Sequence, residues 1–282
     1  MFRVSHFPSQ QLQSWDLEQV LSPHLKKAYE KVVRHIVDGV NFVDVVAGSA
    51  YAPVRDSVEF FTSHEALLLE YEEALTREVA PGRHYDLSAH LVWIGDRTRD
   101  PESGHVEFCR GIANPVAFKV GPSATPEGVL SLVRRLNPHG VPGRLTLITR
   151  FGCGKVELLL PPIVRAVAAS GVPVLWVCDP CHGNTVVSSS KIKTRNFSDI
   201  LQEVQLTMRV LQEAGTHLGG VHVELTGENV TECVGGAAEL GEKNLGHCFK
   251  SLCDPRLNYA QSLDLAFRLG GELKKNRPRP AE

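Results

Sequence analysis

The sequence has no apolar run near the ~20 residues that span a bilayer. Its opening residues, Met1-Phe2-Arg3-Val4-Ser5-His6, show neither the apolar core nor the cleavage pattern of a secretory leader. No membrane partner is expected, and the cytoplasm is the expected compartment. Basic residues do not gather: the net charge is -2, and a stretch such as Lys191-Ile192-Lys193-Thr194-Arg195 is too short for a nucleic-acid footprint. Cysteine is absent from the first 108 residues. The seven cysteines begin at Cys109, are odd in number and lack the spacing of a disulfide framework, which fits a reducing compartment. Internal repeats, low-complexity tracts and a clear interdomain linker are also missing.

What is present is an ordinary globular composition, 43% hydrophobic and 22% charged over 282 residues. That length accommodates one barrel domain of roughly 250 residues. Residues 1–58 read as a mostly helical N-terminal segment. Ser22 and Pro23 are suited to open a helix, followed by apolar residues at Leu25, Ala28, Val32, Ile36 and Val37. Ser63-His64-Glu65-Ala66 reads as a second helix start. Phe42–Val46 is a weak strand candidate.

From residue 87 short apolar runs alternate with helix-length segments. The strand candidates are Ala89–Ile94, Val116–Val120, Leu145–Thr149, Val172–Cys178, Gly220–Leu225 and Phe249–Cys253. Between them Pro126–Leu136, Lys155–Ser170, Asp199–Ala214 and Val234–Leu245 read as helices. The alternation predicts an α/β fold with a parallel sheet, of the (β/α) barrel type. Two strands of a closed eight are not visible, so the barrel is expected to be incomplete or modified at its N-terminal strands. The expected barrel covers residues 59–273, and residues 274–282 are expected to be a disordered tail.

In a parallel barrel the C-terminal strand ends share one face, where active sites sit. Polar residues follow each candidate strand. Arg97, Lys119 and Arg150, with Arg99, provide cations suited to a phosphate or carboxylate. His182, Glu224 and Asp254 form a mixed nitrogen and oxygen set suited to Mn, Co, Fe or Zn. Each alone has a plainer explanation. A strand-end Arg is most often a surface salt bridge, and an Asp before Pro, as at 179 and 254, forms turns. It is the convergence of six strand ends that favours a site for an anionic, phosphorylated substrate beside a Lewis-acid metal.

Trp93-Ile94-Gly95-Asp96-Arg97-Thr98-Arg99 resembles a motif of the class II (plant-type) 3-deoxy-D-arabino-heptulosonate 7-phosphate (DAHP) synthases. Ile112–Pro115, Lys119–Pro122, Pro142-Gly143-Arg144, Cys178–Thr185, Lys193–Arg195, Gly219–Cys233, Cys253–Asn258 and Gln261–Leu263 continue the resemblance in one order over roughly residues 60 to 270. It implies a (β/α)8 barrel that condenses phosphoenolpyruvate with erythrose 4-phosphate. Lys119 and Arg150 would hold phosphoenolpyruvate, with Asp96 where the family has Glu. Arg97 would bind the phosphate of the aldehyde partner. His182, Glu224 and Asp254 would be metal ligands, and the metal would polarise the aldehyde carbonyl.

The sequence departs from that pattern at its start. A Gly-Gly-Asp-Cys-Ala-Glu stretch bearing a metal-binding Cys has no counterpart, and neither does a Lys-Pro-Arg-Ser motif for the sugar phosphate. Cys153 or Cys181 could replace the missing ligand, or water could hold an open position. The expectation is a synthase joining phosphoenolpyruvate, or a related enolpyruvyl or keto acid, to another acceptor in a specialised pathway such as an antibiotic precursor route. The alternatives are a true DAHP synthase of the shikimate pathway completed by oligomerisation, and a non-catalytic binding partner. Exposed strand edges argue for a homo-oligomer.

Overall fold

The computed structural model describes residues 2–5, 17–47 and 57–275. In chain order the elements begin β1 (Phe2–Ser5), α1 (Pro23–Ala47), β2 (Ser57–Phe60), β3 (Ser63–Glu65), α2 (Leu69–Leu75), β4 (Thr76–Ala80), β5 (Arg83–Asp86) and β6 (Leu91–Ile94). They continue α3 (Gly104–Gly111), β7 (Val116–Val120), α4 (Pro126–Leu136), β8 (Leu145–Thr149), α5 (Val156–Ser170) and β9 (Leu175–Cys178). The last are β10 (Thr185–Val187), β11 (Lys193–Arg195), α6 (Phe197–Glu213), β12 (Leu218–Val221) and α7 (Tyr259–Lys275). They divide into two compact units. One holds residues 61–186 and 198–224, the other the described residues up to 60, residues 187–197 and residues 225–275.

The first unit is an α/β fold built on a six-stranded sheet in the order β12-β9-β8-β7-β6-β3, with every neighbouring pair parallel. Register places Trp93 beside Ala117, and Lys119 beside Ile148 and then Val177, so these side chains share one face. The opposite face carries Val92, Ile94, Val116, Phe118, Val120, Leu145, Leu147 and Trp176. These pack into a single core with Val106 of α3, Leu132 and Leu136 of α4, Leu160 and Ile163 of α5, and Leu206 and Val210 of α6. Helices therefore cover one face of the sheet, as in a (β/α) barrel; a doubly wound sheet carries them on both. Among the described residues the sheet does not close: β3 and β12 stand at its edges.

Local chemistry accounts for the helix boundaries. The Thr125 hydroxyl accepts the Gly128 N–H and Pro126 opens α4. Ser103 accepts the Val106 N–H at the start of α3. Gly171, at φ 68°, ends α5 in the left-handed conformation. At the N-terminal ends of the strands, Arg144 donates to the carbonyls of Cys109 (2.7 Å) and Asn114. Asn114 in turn donates to the carbonyls of Asp86 and Ala89. The Ile112–Pro115 and Pro142–Arg144 motifs thus tie strand starts together, at the end of the sheet opposite the polar strand ends.

In the second unit α1 and α7 enclose a small core of Leu17, Val20, Tyr29 and Ala237, flanked by Leu263 and Phe267. The Tyr29 and Phe267 rings stack at 4.3 Å, and the Tyr29 hydroxyl donates to the buried Asp264 carboxylate. Asn258 and Gln261 cap α7 reciprocally: each side-chain oxygen accepts the other's backbone N–H, at 2.9 and 3.1 Å.

Six expectations are corrected. Ser63-His64-Glu65 is no helix start but an edge strand, because its backbone pairs with β6 and the Ala66 N–H donates to the Trp93 carbonyl. Phe42–Val46 lies inside α1, where propagation of a helix already nucleated overrides β-branched preference. The strand expected at Gly220–Leu225 is Leu218–Val221. Val234–Leu245 is not a helix: Gly235 and Gly236 take φ of 83° and 73°, and only a 3-10 turn at Glu242–Asn244 follows. Phe249–Cys253 forms no strand, since the Lys250 and Ser251 N–H groups donate to the Glu232 side chain and not to a ladder. Of the expected tail, Lys274 and Lys275 complete α7 and residues 276–282 lie outside the described residues.

Candidate functional site

Because all six strands run parallel, the segments after β6, β7, β8, β9 and β12 leave the same end of the sheet. Two polar clusters stand there. The first is organised by Asp96, just past β6. Its carboxylate accepts from Arg99 Nε (2.9 Å), the Gly121 N–H (3.2 Å) and Arg150 Nη1 (3.5 Å). Arg99 also donates to the Ser123 hydroxyl at 2.8 Å. A Cβ on Gly121 would come within 2.5 Å of the Asp96 carboxylate, so this approach requires glycine. Arg97 is exposed, with no polar partner among the described residues. The Nε–H of Arg150 is buried and has no acceptor among the described residues. The rest of the guanidinium is partly exposed at the strand ends, where a cation can meet an anionic ligand.

The second cluster centres on Asp179, fully buried after β9. Its Oδ2 receives the Lys119 ammonium and lies 2.7 Å from His182 Nδ1. Its Oδ1 accepts the N–H groups of Cys181 (3.1 Å) and His182 (3.2 Å). Burial by itself would raise the Asp179 carboxyl. The His182 hydrogen bond and the Lys119 charge outweigh it and hold the group well below the carboxylate range. The other imidazole nitrogen, His182 Nε2, sits 3.3 Å from Glu224 Oε1. A carboxylate fixing Nδ1 while Nε2 faces a second carboxylate is the arrangement that orients a metal-ligating histidine. On this geometry His182 and Glu224 fit a divalent metal, and Asp179 stands behind them.

Trp93 and His222 complete this wall. Their rings meet edge to face at 4.9 Å, and the Lys119 ammonium lies 5.7 Å from the Trp93 ring centre. Burial, then the Lys119 charge, lowers His222 to about 4, so its imidazole is neutral at pH 7. Cys181 is buried, and its Sγ accepts the Glu224 N–H at 3.4 Å. The Cys153 thiol is half-buried and pushed up, first by burial and then by Asp199 and Glu203.

In the other unit, Asp254 is ion-paired to Lys193 and, at 3.7 Å, to the buried Arg195, both on β11. The loop that carries it is built by Glu232. This buried carboxylate accepts the N–H groups of Lys250, Ser251 and Arg256, and two bonds from the Arg256 guanidinium. Asp179, Glu203, His222 and Glu232 were not singled out as site residues in the sequence. Their only signal was position inside the Cys178–Thr185 and Gly219–Cys233 motifs, and Glu203 had none.

Residues 4–270 match the model of the Class-II DAHP synthetase family. A phospho-2-dehydro-3-deoxyheptonate aldolase of Streptomyces coelicolor is 48% identical over 258 residues, 91% of this chain and 57% of that protein. One from Neurospora crassa is 46% identical over 280 residues, covering 93% of this chain and 58% of the relative. The chain thus spans a little more than half the length of these relatives. A solved phospho-2-dehydro-3-deoxyheptonate aldolase from Francisella tularensis aligns at 14% identity and a TM-score of 0.44, over 67% of this chain and 56% of that one.

Proposed function

Because the chain belongs to the class-II DAHP synthetase family, we propose that it acts on phosphoenolpyruvate as a DAHP synthase, condensing it with erythrose 4-phosphate. The observation that carries this reading is the gathering at one end of the sheet of Arg150, held over Asp96, with Lys119, His182 and Glu224. The name shared by the relatives favours DAHP synthesis over the specialised acceptor expected from sequence.

In this reading Arg150 and Lys119 bind the phosphate and carboxylate of phosphoenolpyruvate. An ammonium has three donors, and Asp179 uses one of those on Lys119. Asp96 keeps Arg150 and Arg99 aligned, and Arg97, exposed, reaches for the phosphate of the aldehyde. His182 and Glu224, with Asp254 by resemblance, are the metal ligands, and Cys181 or Cys153 remains a candidate for a further one. A divalent metal of the Mn, Co, Fe or Zn group, when bound there, polarises the aldehyde carbonyl as a Lewis acid. Carbon 3 of phosphoenolpyruvate attacks that carbonyl carbon, water adds at carbon 2, and the carbon–oxygen bond to phosphate breaks to leave a ketone and inorganic phosphate. The fixed cations hold the anionic groups in place for attack and need not reorganise during it.

Among the described residues β3 and β12 are the edges of the sheet. A homo-oligomer that covers such an edge is part of the proposal. Cytoplasmic placement is another part; among the described residues no helix is long and apolar enough to cross a membrane.

The test is phosphate release from phosphoenolpyruvate by the Mn-loaded chain, with and without erythrose 4-phosphate, alongside light scattering. The expected result is release that requires the sugar phosphate, from an oligomer. Failure of the Mn-loaded chain to bind phosphoenolpyruvate at millimolar concentration would sink the reading.

A further inference from the structure

We propose that Glu203 is a positioning residue that locks the Arg150 loop to the His182 loop, so that the anion-binding and metal-holding halves of the site move as one; this rests on the reading of Arg150 as a phosphoenolpyruvate contact and His182 as a metal ligand. Glu203 lies on α6 and is fully buried. Its Oε1 accepts the N–H groups of Phe151 (2.8 Å) and Gly152 (2.9 Å), the two residues after Arg150. Its Oε2 accepts from Asn184 Nδ2 at 2.7 Å, two residues after His182. Asn184 repeats the tie from its own side, since its Oδ1 accepts the Cys153 N–H at 2.9 Å.

The two backbones are also in direct contact. Gly152 takes φ of 87°, and a Cβ there would lie 2.7 Å from the Gly183 carbonyl oxygen. A Cβ on Gly183 would lie 2.3 Å from the Gly152 nitrogen. Only glycine fits at either position, and the contact leaves no slack between the loops. A carboxylate buried under a sheet end is unfavourable unless its oxygens are satisfied, and here three donors from two loops converge on it. Helix capping does not explain it, because none of the three donors belongs to a helix backbone. What it does is set Arg150 and His182 at one separation, the precision that a two-substrate site needs.

Glu203→Gln separates this role from simple stabilisation. Its Oε1 still accepts the two amides, while its Nε2 now meets the Asn184 donor and breaks the tie between the loops. The readouts, taken at a pH well above 7 where the Glu203 carboxyl is ionised, are Mn2+ affinity by equilibrium dialysis and phosphoenolpyruvate affinity by tryptophan fluorescence, on the whole chain well below its melting temperature. Both dissociation constants are expected to rise together, tenfold or more. Glu157→Gln, on an exposed pair with Arg209, is expected to change neither. If Glu203→Gln does not fold, Asn184→Ala breaks the same tie from the other loop and is expected to give the same joint loss. A lower melting temperature with both constants unchanged would overturn the proposal and leave Glu203 a stabilising residue only. Wild-type chain that binds neither probe would overturn the underlying functional reading, and the proposal with it.

Discussion

Asp179 holds His182 through Nδ1 at 2.7 Å, and the same carboxylate oxygen receives the Lys119 ammonium. One buried group thus orients a metal-ligand candidate and a substrate-binding candidate at once. Neither side chain can swing without loosening the other.

Asp179→Asn is expected to weaken Mn2+ binding by about 10–100-fold, the usual cost of losing the partner of a ligating histidine. It also leaves Lys119 buried beside a neutral amide, so stability is expected to fall by about 3 kcal/mol. Equilibrium dialysis and urea denaturation of the two proteins check these separately. Unchanged Mn2+ affinity would remove His182 from the metal site or Asp179 from its support.

Glu232→Gln is expected to loosen residues 250–256, which carry Asp254. The carboxylate accepts three backbone N–H groups and the Arg256 guanidinium, and an amide can accept only on one side. The loss is expected to be about 2–4 kcal/mol. Hydrogen exchange at the amides of Lys250, Ser251 and Arg256 should accelerate, with the amides of β7 and β8 unaffected. Equal protection in both proteins would mean that the loop is held by something else.

Glu203 gives the fold a pH dependence of known sign. Burial, with a smaller push from the Asp179 charge, raises its carboxyl from 4.5 to about 7, against the amides of Gly152 and Phe151 and the Asn184 bond. Between these values the folded chain holds a proton that the unfolded chain has released. The stability conferred by the protonated form is fully present below about 4.5 and is lost as pH rises through about 7, to a total of about 3 kcal/mol. His222, lowered to about 4, works in the opposite direction over an overlapping window. The difference between wild type and Glu203→Gln therefore isolates the carboxyl. Urea midpoints for the metal-free chain at several pH values from 4.5 to 8 should show wild type losing stability relative to the variant. A constant difference across that range would contradict the assignment.

Much of the scaffold was legible because it is written locally. Val116–Val120, Leu145–Thr149 and Pro126–Leu136 coincide with the observed elements residue for residue, each a compact apolar run or a capped amphipathic stretch. Errors arose where distant groups decide conformation. Ser63–Glu65 has helix-start chemistry but finds a strand partner in Leu91–Trp93. Phe249–Cys253 has a strand's apolar pattern, but its amides are taken by Glu232.

The same division holds for the site. Alternation of period-two runs with helical stretches was enough to determine a parallel α/β sheet, and hence that Asp96, Lys119, Arg150, His182 and Glu224 would leave it at one end. Those are consequences of backbone geometry and strand direction. Only the tertiary structure decided which buried carboxylates hold those groups in place. Asp179, Glu203 and Glu232 act on partners brought close by the fold, such as Lys119 on another strand and Phe151 on another loop. A buried charge is tolerated where several donors converge on it, and that convergence exists only once the chain is packed.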